Sequence, residues 1–156
     1  MLKINDKSPD FSGYTANGEI ISSNDFAGKW LVVYFYPKDN TSGCTKEACS
    51  FRDGMEEITK LGAVVIGISP DSPLSHKKFI EKFNLNFYLI SDESKEICQK
   101  FYTIGEKSMY GKKYIGVIRS TFIISPDGII KYANYKVKPE NHAQQIIEEL
   151  KKLQND

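Results

Sequence analysis

The sequence predicts an α/β domain in which helices cover a central, mixed β-sheet. Three features indicate this class: short apolar runs rich in β-branched and aromatic residues, amphipathic segments that alternate with those runs, and a closing pair of strands around a Pro-Asp-Gly turn. Alternation of strands and helices favours parallel pairing, because a parallel crossover needs a long connection. The 156 residues, 40% of them hydrophobic, suit one core, and we expect a single domain over residues 1–156.

The N-terminal third contains a hairpin, a buried strand and a long helix. Weak strand signals flank Asn17-Gly18, a typical hairpin turn, so residues 14–22 are predicted as an N-terminal β-hairpin extension. Residues 31–36 are apolar on both faces, which suits a strand in the middle of a sheet. Residues 44–60 carry apolar side chains at helical spacing, which predicts an amphipathic helix.

The middle of the chain repeats the alternation. Residues 63–68 and 87–90 are predicted strands, and a helix between them begins at Ser72-Pro73, a combination of residues that favours a helix start. A short helix is predicted over residues 94–102. The glycines and lysines of residues 105–116 are interpreted as a loop.

The C-terminal part closes the sheet. Strands are predicted over residues 121–124 and 129–133, on either side of Pro126-Asp127-Gly128, and the last helix is predicted to begin near Pro139. The complete order, β-α-β-α-β-α-β-β-α, fits a thioredoxin-like fold with a central mixed sheet flanked by helices.

Charge and composition exclude several classes of partner. The net charge is +1, so no concentrated basic surface is expected for nucleic acid or an anionic membrane. No apolar run approaches the ~20 residues that cross a bilayer, and the first residues lack the apolar segment of a signal peptide. We therefore expect a cytoplasmic protein. Its three cysteines are too few for a disulfide framework.

Cys44 stands where a polar loop after Pro37 gives way to a helix. Free N–H groups and the positive end of the helix dipole favour a thiolate there. Complete ionisation of a thiol at neutral pH raises the thiolate fraction only ~30-fold, whereas an efficient enzyme needs ~10⁶-fold or more. The site must therefore also stabilise charge that develops in the transition state.

Three further residues are candidates for that task. When a thiolate attacks a peroxide, negative charge moves onto the leaving oxygen, which needs a cation and hydrogen-bond donors. Thr41 has a hydroxyl three residues before Cys44, and the N–H of Gly43 lies at the helix entry. Arg119 precedes the strand predicted over residues 121–124. It would reach the loop after Pro37 if that strand pairs with residues 31–36.

Cys49 follows Cys44 by five residues. In an intact α-helix such residues have Cα atoms roughly 8.5 Å apart and point ~140° away from each other, whereas a disulfide needs Cα atoms below about 7 Å. A bridge between the two cysteines would therefore require the first helical turns to unwind, and Gly43 and Gly54 would lower the cost. Alternatively, Cys49 is an unused thiol, and an outside thiol or Cys98 reacts with the oxidised Cys44 in its place.

Two motifs carry a resemblance to a known family. Pro37-x-x-x-Thr41-x-x-Cys44 resembles the peroxiredoxin active-site motif, and Glu47 matches a further position of it. Cys49 and residues 106–122 resemble the bacterioferritin comigratory protein, or peroxiredoxin Q, subfamily, and residues 6–11 resemble its opening. The similarity covers nearly the whole chain. Ser42 departs from the pattern, because many subfamily members have proline there.

The resemblance implies a thioredoxin-dependent peroxidase of hydrogen peroxide and organic hydroperoxides. Cys44 would become a sulfenic acid, Cys49 would condense with it to an intramolecular disulfide, and thioredoxin or a similar dithiol would reduce that disulfide. Thr41 and Arg119 would bind and polarise the peroxide, while Pro37 would screen the sulfur from water. No metal, haem or flavin is implied. The subfamily suggests a monomer or a weak dimer.

Gly43 and Glu47 are supporting residues in this interpretation. The N–H of Gly43 would face the substrate, and Glu47 would order the site besides being an acid that the helix dipole favours in the first turns.

Two other functions remain open. One is a thiol–disulfide oxidoreductase on the same fold, although that class generally uses Cys-x-x-Cys, and here four residues intervene. The other is a peroxide-sensing binding module that changes partners when its cysteine is oxidised.

The remaining cysteine and the histidines have structural interpretations. Cys98 is predicted to be a half-buried structural residue, His76 a satisfied histidine at a helix end, and His142 a solvated one. The spacing of Cys44, Cys49 and His76 is unlike that of structural zinc sites.

Overall fold

The computed structural model describes residues 1–155, which form nine strands and four α-helices. A short 3-10 turn at Ser23–Phe26 follows the second strand. In chain order the elements are β1 (Ser12–Thr15), β2 (Ile20–Ser22), β3 (Trp30–Phe35), α1 (Ser42–Lys60), β4 (Ala63–Ser69), α2 (Pro73–Phe83), β5 (Tyr88–Ser91), α3 (Glu96–Lys100), β6 (Ile104–Met109), β7 (Lys112–Val117), β8 (Ser120–Ile124), β9 (Ile130–Asn134) and α4 (His142–Asn155).

Seven strands form one mixed sheet in the order β2-β1-β5-β4-β3-β8-β9. The central strands β3, β4 and β5 are parallel, and their connections pass through α1 and α2. The N-terminal hairpin of β1 and β2 extends one edge by antiparallel pairing of β1 with β5. At the other side, β8 and β9 add antiparallel strands next to β3. The predicted class, a mixed sheet flanked by helices, is confirmed.

Apolar side chains bury both faces of the sheet, because successive residues of a strand point to opposite sides. On β3, Val32 and Tyr34 join the cluster that includes α1 and α4, while Val33 and Phe35 join the cluster that includes Phe101 on the other side. The exposed fractions of all four β3 side chains are 0–1%. Both faces being buried explains the continuous apolar run in the sequence.

The predicted loop over residues 105–116 is wrong, because β6 and β7 form a separate antiparallel hairpin. Tyr110 and Gly111 both have positive φ, 51° and 77°, which are the signs that a type I′ hairpin turn requires. Exposed lysines and glycines hide the strand pattern, since this hairpin packs few apolar side chains and gains its order from the strand ladder.

Other element bounds differ by a few residues. Helix α1 begins at Ser42, two residues before the predicted start, and α4 begins at His142 and not near Pro139. Gly54 lies against α4, since a Cβ there would stand 3.3 Å from Ile147 Cδ1. Its absent side chain thus permits close helix packing.

None of the helices within residues 1–155 combines the length and the apolar character that crossing a bilayer needs.

Candidate active site

The helix that carries Cys44 begins after an extended residue. Thr41 is the N-cap of α1, with φ −86° and ψ 158°, and its carbonyl accepts the first helical bond from the Thr45 N–H at 2.8 Å. The Thr41 side chain makes no capping bond to the helix. Its hydroxyl instead donates to the carbonyl of Lys38 at 2.9 Å, which holds the hydroxyl oxygen beside the helix entry.

Cys44 is the third residue of α1 and its exposed fraction is 2%. Arg119 Nη2 lies 3.3 Å from Cys44 Sγ, at hydrogen-bond distance. The arginine arrives there because β8 pairs antiparallel with β3, which places Ser120 opposite Phe35 at the end of β3. The conditional expectation from the sequence, that the start of the β8 region reaches the loop after Pro37, is therefore met.

Glu47 holds the other side of the same guanidinium. Arg119 Nη1 donates to Glu47 Oε1 at 2.6 Å, and the Glu47 side chain is fully buried. Burial raises the pKa of Glu47 to about 7, opposed by the positive charge of Arg119. Burial lowers the pKa of Arg119, but Glu47 and Cys44 more than offset this, so it is raised above its ordinary value. One guanidinium thus bridges a carboxyl and a sulfur.

Gly43 leaves the space that the arginine uses. A Cβ at this position would stand 3.3 Å from Arg119 Nη2 and 3.4 Å from Pro139 Cγ. A side chain there would crowd the guanidinium, which would have to shift by a few tenths of an ångström while Glu47 holds it. Glycine thus leaves room for Arg119 beside Cys44.

The expectation that His142 is solvated is wrong. Its side chain is 0% exposed, and its Nε2 lies 2.7 Å from Thr121 Oγ1 and 3.8 Å from Glu47 Oε2. Burial lowers the pKa of His142 to about 4, so the ring is neutral near pH 7. No local pattern indicates this burial, because the residue starts its helix and only the packing of α4 against α1 brings it to Glu47.

Glu47 and two other residues of the core carry buried polar atoms without partners in the described part of the chain. Among residues 1–155, Glu47 Oε2, the Tyr34 hydroxyl and His142 Nδ1 are buried and have no hydrogen-bond partner within the protein. Burial, followed by the charges of Glu47 and Cys44, raises the pKa of Tyr34. The tyrosine therefore stays neutral near pH 7. Sequence reasoning took Tyr34 only as a strand residue.

Lys107 is a further charged neighbour that sequence reasoning missed. It lies on β6, packs across Gly116 and donates from Nζ to the carbonyl of Val117 at 2.9 Å, two residues before Arg119. Burial and the charge of Arg119 lower its pKa, while Cys44 opposes that change. Its position depends on the hairpin that the sequence failed to predict.

Pro37 is half-buried at the end of β3 and begins the loop to α1, which we call the active-site loop (residues 37–41). The side chain of Asp39, in the middle of this loop, is buried beside His76. Asp39, Asp71 and His76 have potential ligand atoms within 4.8 Å of one another. Hydrogen bonds within the protein already engage these groups. The prediction of a satisfied His76 is confirmed.

Cys49 is the eighth residue of α1 and is partly exposed. Cys44 and Cys49 are both free thiols within one continuous helix, so their bridging requires the helical turns between them to open.

Cys98 lies far from Cys44 in the sequence, and its thiol is in a different chemical state. It is 0% exposed, which corrects the expected half-burial, and burial followed by the neighbouring Asp92 raises the pKa of its thiol well above the ordinary range. A thiol in this state is a poor nucleophile.

Comparison with known proteins identifies the family to which the chain belongs. Residues 4–133 match the model of the AhpC/TSA family. The chain is 44% identical over 150 residues to peroxiredoxin Bcp of Escherichia coli K12, covering 96% of each chain. The chain is a peroxiredoxin. A Xylella fastidiosa PrxQ cysteine-to-serine mutant superposes with a TM-score of 0.94 at 34% identity, over 99% of this chain and 98% of the other.

A second similar structure belongs to a protein with a described activity. Xanthomonas campestris bacterioferritin comigratory protein, described for its alkyl peroxide reduction activity, superposes with a TM-score of 0.87 at 40% identity, over 92% of this chain and 91% of the other. Membership in the peroxiredoxins makes the chain a thiol-dependent peroxidase on a thioredoxin fold, as the sequence predicted.

Proposed function

We propose that this peroxiredoxin reduces hydrogen peroxide and small organic hydroperoxides with Cys44 as the nucleophile. The Cys44 thiolate attacks the terminal oxygen of the peroxide and forms a sulfenic acid, while the O–O bond breaks and the leaving oxygen takes a proton to become water or an alcohol. The contact of 3.3 Å between Arg119 Nη2 and Cys44 Sγ is the observation that supports this assignment most directly.

Arg119 is proposed to stabilise the charge that moves during the attack. Before reaction its guanidinium faces the sulfur anion, and as the O–O bond breaks the same group faces charge on oxygen. Glu47 holds Nη1 at 2.6 Å, so the guanidinium is already oriented before the substrate binds. Preorganised groups of this kind act without the cost of reorientation in the transition state.

Thr41, Gly43 and Pro37 are proposed to shape the peroxide site. The Thr41 hydroxyl, which already donates to a backbone carbonyl, presents its oxygen to accept the O–H of the peroxide. The N–H of Gly43 lies in the first turn, where helical N–H groups have no helical acceptor. Pro37 covers the loop side of the site and limits the access of water to the sulfur.

Cys49 is proposed to resolve the sulfenic acid. Its thiol attacks Cys44, a disulfide forms and water leaves, after the first turns of α1 have unwound. Thioredoxin or a similar dithiol then reduces the disulfide and restores both thiols. The protein is proposed to work as a monomer or a weak dimer.

A quenched-flow experiment with intact-mass analysis tests this scheme. In the wild type, hydrogen peroxide should give a disulfide, with a loss of two mass units relative to the reduced protein. The variant Cys49→Ser should oxidise at the wild-type rate and stop as a sulfenic acid that an added thiol must remove. Normal turnover of Cys49→Ser with thioredoxin would refute the local disulfide.

A further inference from the structure

The active-site loop is held by a carboxylate that the peroxidase chemistry does not use. Asp39 stands in the middle of the loop, and its side chain is 4% exposed. A buried carboxylate is costly unless it is paired and hydrogen-bonded, so its partners report where the loop is fixed.

Three side chains contact the Asp39 carboxylate. The Tyr36 hydroxyl donates to Oδ1 at 2.6 Å, and the Ser75 hydroxyl donates to Oδ2 at 2.8 Å. His76 Nδ1 lies 2.7 Å from Oδ2. Tyr36 directly follows the last residue of β3, while Ser75 and His76 lie in the first turn of α2.

The backbone of the loop is fixed in the same place. The Asp39 N–H donates to Asp71 Oδ2 at 2.8 Å, and the Ser69 hydroxyl donates to the same oxygen at 2.6 Å. The loop is thus tied by both side chain and main chain to the segment that enters α2. Asn40, the next residue, has φ 62°, so the loop turns sharply before Thr41.

His76 itself has two contacts that can be separated. Its side chain is 0% exposed, Nδ1 faces Asp39, and Nε2 lies 3.1 Å from the carbonyl of Ile90 on β5. One nitrogen therefore serves the loop and the other serves the sheet.

We propose that Asp39 and His76 are positioning residues for peroxide reduction, because their contact fixes the active-site loop against α2. The loop carries Pro37 and Thr41, and the Thr41 hydroxyl donates to the Lys38 carbonyl within it, so the contact would set the position of this hydroxyl at the start of the helix that carries Cys44. Misplacing a reacting or binding group by 1 Å costs up to ~10²-fold in rate. This inference rests on the proposed function of Cys44 and Thr41.

Two substitutions at His76 separate the loop contact from general packing. In His76→Asn, the amide nitrogen stands close to the place of Nδ1 and keeps an N–H donor toward Asp39. In His76→Gln, the amide nitrogen reaches the place of Nε2, keeps the donor toward Ile90 and loses the one toward Asp39. Each variant loses one imidazole and one contact, so the pair is matched.

The measurement is the second-order rate constant for oxidation of Cys44 by hydrogen peroxide, from quenched flow with intact-mass analysis. We expect His76→Asn to stay within about threefold of the wild type and His76→Gln to be slowed about tenfold or more. Formation of the disulfide from the sulfenic acid should not be slower in His76→Gln, because the loop lies outside the helical turns that must unwind. Equal oxidation rates in the two variants, fast or slow, overturn the proposal.

Ser75→Ala keeps the proposal testable if the His76 variants do not fold. Ser75 is partly exposed, and its removal takes one donor from Asp39 without opening the core. Oxidation slowed about twofold to fivefold in the folded variant supports the proposal. An unchanged rate overturns it. Failure of the proposed function itself would be separate, because the wild type would then not form a sulfenic acid or disulfide at Cys44.

Discussion

Cys44 and Cys98 are both buried thiols, with exposed fractions of 2% and 0%, yet their surroundings are opposite. Cys44 lies at a helix entry with the cation of Arg119 3.3 Å away. Cys98 lies in α3 beside the carboxylate of Asp92, which accepts the Cys98 N–H at 2.8 Å. Burial, followed by the hydrogen bond and charge of Asp92, raises the pKa of Cys98, and the charge of Lys95 opposes this only in part. The charge beside the sulfur, and not exposure, separates the two cysteines.

The two cysteine-bearing helices also differ in how the N–H groups of their first turns are hydrogen-bonded. Asp92 accepts the N–H groups of Ile97 and Cys98, so the first turn of α3 is capped and closed to an outside anion. At α1 the N-cap side chain bonds elsewhere and leaves the first N–H groups for a ligand. The unbonded N–H groups and the cation at the start of α1 together favour a negative charge there, which the capped start of α3 does not.

The largest effect should come from exchanging each sulfur for oxygen. Cys44→Ser should abolish peroxide consumption, a loss of at least ~10⁴-fold, because a serine hydroxyl is not ionised near pH 7. Cys98→Ser is the matched control and should keep wild-type oxidation. The rate of peroxide loss under excess dithiol checks both. Turnover that persists in Cys44→Ser and is lost in Cys98→Ser would reverse the assignment.

Removal of the cation should come next. Arg119→Ala should slow oxidation of Cys44 by about 10²–10³-fold, which is the usual cost of removing one charge-stabilising donor. Arg52→Ala serves as control, since Arg52 lies on α1 but donates to the carbonyl of Phe83. Oxidation rates of the folded proteins, verified by circular dichroism, provide the measurement. Equal rates in Arg119→Ala and the wild type would show that another group stabilises the charge.

The thiol of Cys98 should resist alkylation in the folded protein. With iodoacetamide at neutral pH, we expect Cys98 to react at least ~10²-fold more slowly than in urea, because burial raises its pKa and blocks the reagent. Peptide mapping after timed quenching gives the rate for each cysteine. Modification of Cys98 at the rate of partly exposed Cys49 would contradict the comparison.

The smallest expected effect is on the pH dependence of stability. The pKa of Glu47 is raised from 4.5 to about 7 on folding, so the folded state holds this proton more tightly. Its contribution to stability is therefore complete below pH 4.5 and is lost as the pH rises to about 7. Glu47→Gln should remove this loss, roughly 1–3 kcal/mol.

Urea unfolding of wild type and Glu47→Gln from pH 4.5 to 8 measures the effect. The stability of the wild type relative to the variant should fall with rising pH and level off above about 7. Burial lowers the pKa of His142 from 6.5 to about 4, so its own effect adds stability between these pH values in both proteins, and only the difference between the two proteins reports on Glu47. A difference that is flat or rises with pH would show that Glu47 is ionised throughout.

Much of the fold followed from hydrophobic pattern alone. Strand β3 and helix α2 were predicted to within one or two residues, because a fully apolar run and a Ser-Pro start are local signals. The hairpin of β6 and β7 escaped prediction. Most of its strand residues are exposed, and lysines, glycines and apolar residues are mixed without clear alternation, so only pairing across the turn defines the strands.

The candidate site divides in the same way. Cys44, Thr41 and Glu47 were found because they lie within one short stretch of sequence. Arg119 was found through an assumed strand pairing, which β3 and β8 indeed form. His142 was misjudged, because its burial depends on how α4 packs. Asp39 was not singled out, since its partner on α2 is 37 residues away.

Because β8 pairs with β3 in a defined antiparallel register, the position of Arg119 does not depend on the tip of the hairpin formed by β6 and β7. Arg119 is delivered by the pairing of Phe35 with Ser120, not by the length of the loop before it. We therefore expect the turn at Tyr110, whose side chain is 97% exposed, to accept inserted sequence while the guanidinium stays in place. For protein engineers, this turn offers a graft point for an affinity tag or a fluorescent reporter of peroxide.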